Sequence, residues 1–84
     1  MDEPEVIEIC AQALAEGRDV RLHLHDGEVV EARLIWVEEP GLCYAALRSS
    51  HPERYAVCDS TGVELTFGSI ARASVIAPRR RVGR

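Results

Sequence analysis

Aromatic side chains are scarce in this chain, and lysine is absent. Its 84 residues include Trp36, Tyr44, Tyr55 and Phe67 as the only rings of that kind. A platform that stacks single-stranded nucleic acid needs several rings on one face. With some rings required for a core, little is left for such a platform, so Trp36 and Tyr44 are read as core or end-plug residues. All ten cations are arginine. A GC-rich bacterial coding genome accounts for that bias, which carries no mechanism. The three cysteines, Cys10, Cys43 and Cys58, form no CxxC pair, which disfavours a zinc ribbon. The first residues are acidic, unlike a secretory leader, and the apolar runs are too short to span a bilayer. The cysteines therefore read as small buried hydrophobes of a reduced, cytoplasmic protein.

What is present is strict alternation. From Arg18 to Leu34 apolar and polar residues take turns, break at Asp26-Gly27, and alternate again. Two half-buried strands around an Asp-Gly turn have this pattern. Val20, Leu22 and Leu24 belong to the inner face of a first strand over 19–25, with Arg21, His23 and His25 on the outer one. A second strand over 28–37 puts Val30, Ala32, Leu34 and Trp36 on one face, while Val29, Ile35 and Val37 make the other partly apolar. One long strand buried on different faces at its two ends suits a bent barrel strand. Further strands are expected over 42–47, 54–58, 63–67 and 72–76. They are separated by Glu38-Glu39-Pro40-Gly41, Ser49-Ser50-His51-Pro52-Glu53, the tight turn Asp59-Ser60-Thr61-Gly62, and a bend at Gly68-Ser69-Ile70.

Ahead of the strands, Val6, Ile9, Cys10, Ala13 and Leu14 recur at helical spacing and predict a helix over 4–16. Asp2 is placed to cap it, with Glu5 three residues later, Pro4 in the first turn and Gly17 at the end. The expected fold class is thus mainly β: an N-terminal helix followed by a strongly bent antiparallel barrel of about five strands, a single domain over 1–76. Residues 77–84 have no apolar period and are expected to form a basic, flexible tail.

The net charge of −4 is unevenly spread. Residues 1–17 carry Asp2, Glu3, Glu5, Glu8 and Glu16 and no cation, whereas the tail carries Arg79, Arg80, Arg81 and Arg84. An acidic body binds polyanions poorly, because affinity for nucleic acid comes largely from neutralised phosphates. Arg79, Arg80 and Arg81 are the one nucleic-acid candidate. His23 and His25, two apart on a strand, are weak metal candidates, with Asp26 or His51 as further donors. A Cys43 or Cys58 nucleophile with His51 would need an exposed, electropositive setting, and both cysteines fall inside expected strands. No catalytic residue and no cofactor is assigned.

The helix, the Leu24-His25-Asp26-Gly27 turn, the long second strand and the late Phe67-Gly68-Ser69-Ile70 bend together resemble the Sm-like, SH3-like group of small barrels over residues 5–76. That resemblance implies ring assembly and RNA binding. The asparagine of the second or third strand and the late Ile/Leu-Arg-Gly motif are both missing, so no RNA contact carries over. A helix leading into a strand-Asp26-Gly27-Glu28 hairpin also resembles the Rof family, which inhibits the termination factor Rho by laying an acidic surface over a basic one. Glu3, Glu5, Glu8 and Glu16 would play that part. The expectation is a non-enzymatic binding or regulatory module working through protein contacts in transcription or RNA metabolism. Glu5, Glu8, Arg21, His23 and His25 are the partner-binding candidates. The fourth and fifth strands, poor in charge, leave edges for homo-oligomer pairing. An RNA-binding oligomer and a His23/His25 metal protein are the alternatives.

Overall fold

The computed structural model describes residues 1–56 and 62–76. One helix and five antiparallel strands make up most of it: α1 (Glu3–Glu16), β1 (Val20–Leu24), β2 (Val29–Glu38), β3 (Gly41–Ser49), β4 (Val63–Thr66) and β5 (Ile70–Val75). The strands form a single sheet in the order β4-β3-β2-β1-β5. Short 3-10 turns cover Pro52–Tyr55 and Phe67–Ser69. No helix is long and apolar enough to cross a membrane among the described residues.

The helix forms where its capping residues predict. The Asp2 carboxylate accepts the Glu5 backbone N–H at 3.1 Å, a cap worth about 1 kcal/mol. Gly17 ends the helix at φ 69°, donating to the Ala13 and Leu14 carbonyls. A left-handed residue here costs glycine nothing and a β-carbon something. Val6, Cys10 and Ala13 are fully buried, and Ile9 and Leu14 pack at the margin. Through these residues α1 covers β5 and β2.

The first hairpin also follows the alternation. Val20, Leu22 and Leu24 are buried with Val30, Ala32 and Leu34. The turn has three residues, His25, Asp26 and Gly27. The Leu24 N–H donates to the Glu28 carbonyl at 2.8 Å, and the Gly27 N–H donates to the Leu24 carbonyl at 3.1 Å. Gly27 sits at φ 101°, the left-handed position that closes a hairpin of this length.

The β2–β3 ladder departs from simple alternation twice. Its register slips between Glu31 and Ala32 and again between Leu34 and Trp36. Each slip is a bulge, and the extra residues, Leu47 and Ile35, point to solvent at 48% and 46% exposure. A bulge bends its strand and inverts the facing of the residues beyond it. Past Ile35, Val37 therefore pairs with Leu42 on the inner side, while Trp36 pairs with Cys43. Trp36 is 39% exposed, so its assignment to the core is corrected. Tyr44 is buried as expected.

A further expectation changes. The strand over 54–58 is replaced at its start by the 3-10 turn Pro52–Tyr55, in which Arg54 N–H donates to the His51 carbonyl at 3.0 Å. Pro52 suits the first position of such a turn and has no N–H to lend a ladder. Val57, Cys58, Asp59, Ser60 and Thr61, and with them the tight turn, lie outside the described residues, as does the tail over 77–84. Among the described residues β4 and β5 are the two sheet edges and do not pair with each other, so the sheet stays open, with two free edges.

β4 approaches β3 unusually closely at one point. A β-carbon on Gly41 would lie 2.0 Å from the Leu65 carbonyl oxygen. Only glycine lets the two backbones meet there, within the ladder that pairs β4 with β3 from Gly41–Thr66 to Tyr44–Val63.

Candidate functional site

Two open spaces flank β4, and Leu65 borders both. The larger, about 380 Å³, lies at the hairpin mouth and is lined by Leu24, His25, Asp26, Glu28, Tyr44 and Arg54, with Tyr55, Val63, Leu65 and Ser69 completing it. The smaller, about 290 Å³, runs along the outer side of β4 between Trp36, Pro40, Gly41 and Leu42 on one flank and Glu64, Leu65 and Thr66 on the other.

The mouth is organised by Glu28, a carboxylate only 2% exposed. The hairpin turn delivers it inward. From the end of β3 and the 3-10 turn after it, Ser49 Oγ donates to its Oε2 at 2.5 Å, Tyr55 OH donates to the same oxygen at 2.7 Å, and Arg54 Nη1 donates to Oε1 at 2.7 Å. Arg54 also holds Asp26 at 2.8 Å, while the other Asp26 oxygen accepts the Glu28 N–H at 3.0 Å. Tyr44 OH lies 2.7 Å from Tyr55 OH. Because Tyr55 gives its proton to Glu28, Tyr44 is the donor in that pair. The end of β3, through Ser49, and the 3-10 turn, through Arg54 and Tyr55, are thereby tied to the tip of the first hairpin.

These contacts set the ionisation of the groups. Burial pushes Glu28 upward, but the bonds from Ser49, Tyr55 and Arg54 outweigh it and leave the carboxyl below its ordinary value. The Glu28 N–H and the Arg54 guanidinium hold Asp26 low as well. Burial, together with the neighbouring hydroxyl and carboxylate, pushes Tyr55 upward, and burial raises Tyr44. Both phenols stay protonated and Glu28 stays charged at neutral pH. A site with a saturated carboxylate and two protonated phenols offers neither a poised base nor an activated nucleophile. Cys10 and Cys43 are buried, and burial raises the Cys10 thiol to about 11.

The groove beside Trp36 has a different character. Trp36, Cys43 and Glu64 form one cross-strand row, because Trp36 pairs with Cys43 and Cys43 with Glu64. Trp36 and Glu64 therefore share the outer face about 10 Å apart, two strand spacings. Glu38, the last residue of β2, and Glu39 in the turn that follows are exposed next to Pro40 of the same groove. Among the described residues none of Glu38, Glu39 and Glu64 has a cation at ion-pair distance. The free edge of β4 is adjacent. Phe67 N–H donates to the Pro40 carbonyl on the β3 side. By antiparallel alternation the Leu65 and Val63 N–H groups face β3 too, and those of Glu64 and Thr66 face away from the sheet.

The residues singled out from sequence are dispersed. Glu5 and Glu8 are exposed on α1. Arg21 is bridged to Glu31 at 3.0 Å. His23 lies on the outer face with Arg72 Nη2 3.3 Å from its Nε2. Partial burial, Arg72 and Arg21 hold its pKa below the usual histidine value. His25 is in the turn rather than on the strand and lines the mouth instead. Among the described residues no group of three His, Cys, Asp or Glu converges on a metal position. Arg79, Arg80 and Arg81 lie outside the described residues. Sequence reasoning missed Glu28, which reads as one more outward polar residue, and the Trp36 groove. A cue to the first was the run Pro52-Glu53-Arg54-Tyr55, a turn-former followed by two long hydrogen-bonding side chains. No protein-family model matches this chain, and neither does any curated protein or solved structure.

Proposed function

We propose that the chain is an Sm-like, SH3-like small barrel that serves as a non-enzymatic binding or regulatory module and takes a protein partner as an added strand along the free edge of β4. One observation carries this reading: an edge strand, unpaired among the described residues, with an open cleft on either side of it and Leu65 common to both. Strand addition uses main-chain hydrogen bonds for affinity and flanking pockets for alternate side chains, and β4 offers both. The outer face of β1 is a weaker docking surface, since Arg21 is paired with Glu31 and His23 lies against Arg72. The saturated mouth argues against catalysis for the same reason that it argues for a rigid frame.

Thr66→Pro tests the reading. Thr66 has φ −78° and ψ 151°, a conformation that proline adopts without strain, and its N–H faces the free edge. The variant fits this backbone conformation and removes one edge donor, together with the exposed Thr66 Oγ1–Ser69 Oγ hydrogen bond at 3.0 Å. Proteins captured from a lysate of the source cells by the wild-type chain, and lost by Thr66→Pro but kept by a Glu5→Lys, Glu8→Lys variant, support strand addition. Loss with the helix variant alone moves the interface to α1 and defeats the proposal. Light scattering on the purified chain identifies the partner as a second copy when a wild-type oligomer becomes monomeric in Thr66→Pro.

A further inference from the structure

We infer that the groove beside β4 selects a basic partner, seating an arginine or lysine side chain of an extended segment between Trp36 and Glu64. This rests on the strand-addition reading and names the chemistry of its occupant.

The sheet twice goes out of its way to make this groove. The bulge at Ile35 turns Trp36, which simple alternation would bury, onto the outer face. Gly41 then lets β4 come close enough to place Glu64 in the same row. An indole and a carboxylate on one face, two strand spacings apart across Cys43, suit a long cationic side chain laid between them, because the ring face carries negative potential and a guanidinium stacks on it while its charge faces the acid. Pro40 borders the same space and offers an exposed apolar surface to the methylene stem, the part of such a side chain that prefers to leave water.

Charge complementarity favours the same occupant. Glu38, Glu39 and Glu64 lie around the groove with no cation at ion-pair distance among the described residues. The acids at the mouth, by contrast, are held by Arg54. A strand of alternating basic and apolar residues, laid along β4, would direct one set of side chains over Trp36 and Glu64 and the other toward Val63 and the mouth. An acidic strand would bring like charges together on the outer face, at a cost in affinity.

Trp36 is the only tryptophan in the chain, so its emission reports on the groove directly. The probes are a capped hexapeptide of alternating arginine and valine and its glutamate-valine counterpart, neither containing an aromatic residue. The arginine peptide is expected to shift the emission saturably. Binding should weaken about three- to tenfold in Glu64→Gln, in line with the modest strength of partly exposed cation contacts, and should weaken as salt rises. The glutamate peptide should leave the emission unchanged. Equal binding of both peptides, abolished by Thr66→Pro, overturns the inference and leaves strand addition standing. Arginine-selective binding that survives Thr66→Pro but not Glu64→Gln supports the inference and removes strand addition. An emission unmoved by the arginine peptide at millimolar concentration, or a titration identical in wild type and a Glu38→Gln, Glu64→Gln double variant, overturns it as well.

Discussion

The side of the core under α1 and the mouth at the first hairpin belong to one small domain but are held by opposite means. Under α1, fully buried Val6, Cys10 and Ala13 meet Val20, Leu22, Val30 and Ala32 with no polar side chain among them. At the mouth, a buried carboxylate gathers a serine, a tyrosine and an arginine from more than twenty residues away. Apolar packing is non-directional and closes wherever shapes fit. A hydrogen-bonded network has fixed directions and holds a defined gap open. The difference shows why the clefts lie by β4 and the mouth: the network and the β3–β4 ladder fix the strands there without filling the space between them.

The largest effect expected from breaking this contrast is on the apolar side. Leu22 is fully buried, and Leu22→Ala should cost about 2–5 kcal/mol through lost transfer energy and a residual cavity. Urea unfolding monitored by circular dichroism measures it. For a domain this small that approaches the total stability. A cost under about 1 kcal/mol would mean that α1 collapses onto the site and that the apolar side is less rigid than its burial implies.

The mouth should answer more weakly and in another way. Glu28→Ala removes the acceptor of Ser49, Tyr55 and Arg54, and should cost about 1–3 kcal/mol. The lower figure reflects the partly exposed Arg54, whose cation water can still solvate. Amide exchange should rise in residues 51–56 and at the hairpin turn while α1 stays protected. Uniform loss of protection across the chain would show that the two sides unfold as one unit and would end the comparison.

The two sides also differ in how readable they are. The helix, its cap at Asp2, its stop at Gly17 and the first hairpin follow from spacing within a few residues, and the structure agrees with them. The errors fall where distant parts of the chain decide. Trp36 alternates correctly with Leu34 in sequence, but the bulge at Ile35 reverses its facing, and a bulge is set by the partner strand. Glu28 looks like an outward polar residue because its partners Ser49, Arg54 and Tyr55 are remote in sequence. Arg54 and Tyr55 open the strand expected over 54–58, yet both are recruited by the remote Glu28. The candidate site was therefore less legible than the core.

Gly41→Ala probes the link between the mouth and the Trp36 groove. The added carbon would collide with the Leu65 backbone, so β4 has to move outward, at a cost of about 1–3 kcal/mol typical of overpacking. The emission of Trp36 should change without any ligand, because both flanks of its groove shift. An unchanged emission with unchanged stability would show that β4 is not held by this contact.

The smallest effect is the response to acid, and it separates the two sides without any mutation. Glu28 has a folded-state pKa below its ordinary value of 4.5, so the folded state binds its proton less readily than the unfolded chain does. The stabilisation is fully present above the unfolded value. It is lost as pH falls from about 4.5 through the lower folded value, because there the unfolded state takes up more protons. Protonation keeps the side chain and its volume in place, so it costs less than Glu28→Ala. Glu28→Gln should flatten this part of the pH–stability curve, whereas Leu22→Ala should lower the whole curve and keep its shape. Asp26, also held low, is exposed and leaves a residual slope, which Asp26→Asn removes. If Glu28→Gln leaves the acid limb as steep as in the wild type, the carboxylate is not what fixes the mouth, and the open cleft needs another cause.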